Sequence, residues 1–73
     1  MIELSQLNGI TVVVNCDLIE TIESIPETKV SLTTGKYFLV AENREEVVNK
    51  VVAYRRRILK DLFEVHIREP KEE

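Results

Sequence analysis

The chain lacks most of the residues from which common sites are built. It has no Trp, and aromatics are 5% of its 73 residues. That speaks against an aromatic stacking platform for single-stranded nucleic acid. A single cysteine, Cys16, rules out an intramolecular disulfide framework and fits a reduced compartment. The one histidine, His66, lies far from it in sequence, and the two make no zinc site without ligands from another chain. Nothing nearby would activate Cys16 as a nucleophile. The pair reads as a small buried cysteine and a surface histidine. The glycines are isolated turn formers, so there is no phosphate-cradling loop. No apolar run is long enough to span a membrane. The start, "MIELSQLNG", has neither the basic nor the apolar region of a signal peptide.

What remains is an ordinary globular composition, 44% apolar and 32% charged. The length allows one domain, expected over residues 1–66, with 67–73 as a polar, frayed tail containing Pro70. So small a domain buries only roughly 60% of its unfolded surface, and such chains often gain stability from a partner or from self-association. The net charge of −3 hides an asymmetry. Residues 1–41 carry two bases and five acids, whereas 42–73 carry eight of each, with Lys50, Arg55, Arg56, Arg57 and Lys60 clustered.

Residues 1–7 alternate as a short strand, and the Asn8-Gly9 pair that follows is a strong signal for a two-residue type I′ hairpin. "ITVVVN" then reads as a strand covered on at least one face. "KVSLTTGKYFLVAE" repeats the theme, with Gly35-Lys36 at the turn. Between these hairpins lies "NCDLIETIESIPET", with four carboxylates, Asp17, Glu20, Glu23 and Glu27. Leu18, Ile19, Ile22 and Ile25 have helical spacing. A strand broken by a bulge also puts Ile19, Ile22 and Ile25 inside, because one inserted residue shifts the face. The Ile/Thr content and Pro26 favour the strand, with Pro26-Glu27-Thr28 as the next turn. From Asn43 the period changes to helical. Asn43 and Glu46 match a capping box, and Val47, Val51, Tyr54, Ile58 and Leu62 form a stripe beside a second one of Val48, Val52, Leu59 and Phe63. The fold class is therefore α+β: a small antiparallel β-meander of five strands, about 2–7, 10–14, 18–25, 29–33 and 36–41, in one curved sheet, followed by one long C-terminal helix, about 44–63.

The carboxylates are too spread along a strand to converge on a metal or to face each other as an acid/base pair. They read as a solvated face, so no catalytic residue, cofactor or metal is expected. "YRRRILKD" is the sharpest charge feature. Arg55, Arg56, Arg57 and Lys60 suit phosphate, an acidic protein surface or anionic headgroups, although a plain solvated helix face is the simpler reading. A nucleic-acid role is weakened by the sequence pI of about 5.2. The two helix stripes together make an arc too wide for one small sheet to cover. Ile58, Leu59, Leu62 and Phe63 would then be exposed and available for docking or self-association.

Several residues occur in an order and spacing that resemble the short FlbD/SwrD family of bacterial flagellar and swarming-motility proteins. They are Asn8, Gly9, Asn15, Asp17, Leu18, Ile19, Glu20, Ile22, Glu23, Pro26, Thr28, Gly35, Lys36 and Glu42, and the likeness covers residues 1–57. Glu27 stands where the family commonly has Asp. The resemblance implies a small β-meander followed by a helix. It also implies a non-enzymatic cytoplasmic protein that supports the flagellar motor by binding a motor, stator or export component, with at most peripheral membrane contact. A small regulatory nucleic-acid-binding module using the basic cluster is the alternative.

Overall fold

The computed structural model describes residues 1–66, with side chains described as far as Lys60. The expectations for the side chains of Leu62, Phe63 and His66, and for the tail 67–73, lie outside the described residues. Five strands come first: β1 (Ile2–Ser5), β2 (Thr11–Val14), β3 (Ile19–Ser24), β4 (Thr28–Leu32) and β5 (Tyr37–Val40). A 3-10 turn, Cys16–Leu18, precedes β3, and the helix α1 (Arg44–His66) closes the order.

The strands form two antiparallel sheets rather than the single sheet expected from the sequence, β1-β2 and β3-β4-β5. The reason lies at Asn15. Its side-chain oxygen accepts from the backbone N–H of Asp17 at 3.0 Å and caps the 3-10 turn, which carries the chain away from β2. The two sheets meet elsewhere, through a bridge between Gln6 and Val40. Leu7 N donates to Leu39 O at 3.0 Å, and Ala41 N donates to Ser5 O at 2.7 Å.

Both hairpins that contain a glycine close with the same loop. Gly9 N donates to Gln6 O at 2.9 Å and Gly35 N to Leu32 O at 3.0 Å. Gly9 has φ 89° and Gly35 has φ 96°. The residue before each glycine accepts from the one after it, Asn8 Oδ1 from Ile10 N and Thr34 Oγ1 from Lys36 N. This is a longer loop with one left-handed residue at its end, not the two-residue turn expected at Asn8-Gly9. β1 accordingly stops at Ser5 instead of residue 7.

The ambiguous segment is a helical turn and then a strand. In β3, Ile19 pairs with Leu32 and Thr21 with Ser31, so Glu20 is the extra residue of a bulge. The bulge brings Ile19 and Ile22 onto the core, as expected. Ile25 does not follow them. It is 83% exposed, because β3 ends at Ser24 and Ile25 already belongs to the turn with Pro26, whose peptide bond is cis.

The core is built from alternate residues: Ile2 and Leu4 of β1, Val14 of β2, Val30 and Leu32 of β4, and Val40 of β5, closed by Cys16 and by Val47 of α1. Val51 and Tyr54 extend it along the helix. The capping box at the start of α1 is complete. Glu46 N donates to Asn43 Oδ1 and Asn43 N to Glu46 Oε1, both at 2.8 Å. With 23 residues the helix is about 34 Å long. Strands of four to six residues span less, and the molecule is drawn out to 47 × 23 × 20 Å.

Candidate interaction surface

The acids of the 16–24 segment do not gather. Asp17, Glu20 and Glu23 are all exposed. Among the described residues no group of three or more His, Cys, Asp or Glu side chains is placed to hold a metal ion. Asp17 instead reaches α1, where its Oδ1 accepts from Arg55 Nη2 at 3.0 Å. Both side chains are more than half exposed, so the pair contributes little to stability.

Glu42 is different. It lies between β5 and α1, and its carboxylate accepts the Ser5 N–H with both oxygens, at 3.0 and 3.1 Å. Lys50 Nζ reaches the same carboxylate at 3.3 Å and donates to Glu3 O at 2.6 Å. One acid thus fastens β1, the end of β5 and the helix together. Burial raises the Glu42 pKa, but the Ser5 N–H, its own backbone N–H and the Lys50 ammonium outweigh that and hold it below the ordinary glutamate value. The sequence placed Lys50 in the basic cluster and did not single it out as a partner of Glu42. Its signal was available: it is the one charged residue within the core-facing run Val47, Lys50, Val51, Tyr54.

The remaining motif residues hold the frame. Asn8 and Gly9 shape the first loop and Gly35 the second, while Asn15 caps the 3-10 turn. Ile19 packs on the core, Glu20 makes the bulge and Pro26 sits in an exposed turn.

The helix offers one free surface. Its first turns are pinned by Val47, Val51 and Tyr54, but Ile58 is 45% and Leu59 53% exposed beyond them. Arg55, Arg56, Arg57 and Lys60 are exposed on the same stretch. Arg55, Arg56, Arg57 and Lys60 thus share one exposed stretch of helix with Ile58 and Leu59. A feature the sequence did not reveal runs beside them: a shallow groove of about 220 Å³ between β3 and α1, lined by Ile19, Ile22, Val48, Val51 and Val52 and ending at Arg55. Small-molecule pockets are typically 300–1,000 Å³ and more enclosed. No helix among the described residues is long and apolar enough to cross a membrane.

The comparisons with known proteins give one result. Residues 1–59 match the family FlbD, described as flagellar and swarming motility proteins. No curated protein and no solved structure matches the chain.

Proposed function

This chain belongs to the FlbD family of flagellar and swarming motility proteins, and on that footing we propose that it is a non-enzymatic accessory of the flagellar motor that acts by binding another protein. The reading places it on the cytoplasmic side of the flagellar base. The observation that carries it is the far half of α1, where Arg56, Arg57 and Lys60 stand exposed beside Ile58 and Leu59. Clustered cations suit an acidic partner surface, and exposed aliphatic residues beside them add desolvated contact area. The partner is a motor, stator or export component with an acidic face.

The test is crosslinking and capture of the full chain from motile cells, native against the triple variant Arg56→Glu, Arg57→Glu, Lys60→Glu. The native chain should capture a flagellar component, and charge reversal should lose it while circular dichroism stays unchanged. Capture unaffected by the reversal would contradict the assigned surface. A salt-titrated gel shift with duplex DNA and with RNA runs beside it. Tight binding that weakens steeply with salt would favour a nucleic-acid role instead.

A further inference from the structure

Among the described residues, β2 and β3 each have one side that no strand pairs with. The two edges differ. β3 carries Glu20 and Glu23, and the bulge at Glu20 interrupts its ladder. Charges and bulges are common means by which an edge strand is kept from pairing with another chain. β2 has neither. Residues 10–15, "ITVVVN", contain no charge and no proline, and the register of β2 with β1 is unbroken.

The backbone of β2 shows what fits there. Gln6 N donates to Ile10 O across the first hairpin, whereas Ser5 O and Leu7 N turn the other way, to Ala41 N and Leu39 O. Ladder bonds alternate in this manner along an antiparallel pair. Ser5 faces Thr11 and Glu3 faces Val13, so the N–H and C=O groups of Thr11 and Val13 point away from β1. Among the described residues no strand meets them. A row of donors and acceptors at this spacing is matched by another extended backbone.

The side chains identify β2 of a second copy as that strand. A groove of about 290 Å³ opens beside β2, lined among others by Val14, Leu18, Leu32 and Phe38. Ile10 is 62% and Val13 63% exposed. In a two-fold antiparallel pairing centred on Val12, Thr11 of one copy meets Val13 of the other, and the two exchange their N–H and C=O groups. Val12 then faces Val12, and Ile10 lies opposite Val14, at the groove. Every facing pair is uncharged and β-branched, which suits neighbouring strands. We propose that two copies of this chain pair through β2 in this register, joining their β1-β2 hairpins into one continuous sheet. β2 is only four residues long, so the interface is small and the pairing depends on concentration. It uses no residue of the docking surface on α1, so either reading can fail without the other.

The experiment uses the full chain. Sedimentation equilibrium over a wide concentration range should show the mass rising from 8.5 kDa towards twice that value. Thr11 and Val13 are exposed, so charges placed there should leave the circular dichroism unchanged. Thr11→Lys with Val13→Lys sets like charges opposite each other across the pair and should hold the mass at one chain. Thr11→Glu with Val13→Lys sets opposite charges there and should restore the doubling. Val12→Cys should crosslink two chains under oxidation faster than Ile25→Cys does, with the native chain and its buried Cys16 as control. A strict monomer at high concentration would overturn the proposal. So would doubling that survives Thr11→Lys with Val13→Lys, or a single-chain mass for Thr11→Glu with Val13→Lys. A native monomer that captures a flagellar component, and loses it on Thr11→Lys with Val13→Lys, would give the edge to a partner and overturn the self-pairing.

Discussion

Glu42 is a charged residue that holds distant parts of the fold together. Its two oxygens accept from the Ser5 backbone N–H of β1, and one of them also accepts from the Lys50 ammonium of the helix. Replacement by Gln keeps an acceptor for Ser5 but removes the charge, and charge-assisted bonds are worth roughly 1.5–3 kcal/mol each. Glu42→Gln is therefore expected to lose about 2 kcal/mol in urea unfolding. The pH dependence follows from the lowered pKa. A carboxylate held below its unfolded value contributes stability that is fully present above that unfolded value and is lost as pH falls through the folded one. Native protein should lose stability on acidification through this range, and Glu42→Gln should lose less of it. The residue was visible in the sequence only through the family resemblance, because its partners Ser5 and Lys50 are distant in the chain. Core positions were easier to see. Ile2, Leu4, Val30 and Leu32 follow strict alternation, and all are buried. Leu4 is fully buried, so Leu4→Ala should cost about 2–5 kcal/mol. Ile25→Thr should change urea stability by less than about 0.5 kcal/mol, since Ile25 lies outside the core.

At the level of elements, the two glycine loops give a paired prediction. Both glycines have positive φ, and an added Cβ meets nothing within 4 Å at either. The cost of Gly9→Ala and of Gly35→Ala is then backbone strain alone, about 1–2 kcal/mol each and nearly equal. Denaturation of the two single variants checks this; a much larger loss at one loop would mean that the loops are not equivalent. The capping box is a third local device, and Asn43→Ala should cost about 1 kcal/mol. Local signals of this type were legible because capping and turn chemistry act over three or four residues. The segment from Cys16 to Ile25 was not fully legible, for a physical reason. Its helical signal is real for one 3-10 turn and its strand signal is real afterwards, and no window separates two elements so short. Ile25 was misplaced because the bulge restores the inward face only for residues still paired to β4.

For the molecule as a whole, the decisive fact is that the helix is longer than the sheets it covers. The excess of apolar positions over available sheet was readable from the helix period, and the exposure of Ile58 and Leu59 agrees with it. The division into two sheets was not readable, because it depends on one asparagine cap, and neither was their junction, which is made by contacts between the end of β1 and β5. The groove between β3 and α1 was hidden for the same reason, as it exists only once the 3-10 turn has set β3 beside the helix. What carries function on this reading is the outer side of the overhanging helix. The most direct measurement is swarming in a strain lacking the gene, complemented with the native chain, with Arg56→Glu, Arg57→Glu, Lys60→Glu, or with Ile25→Thr as a surface control. The native chain and the control should restore swarming, and the charge-reversed chain, present at equal level, should not. Full swarming with the charge-reversed chain would contradict the account.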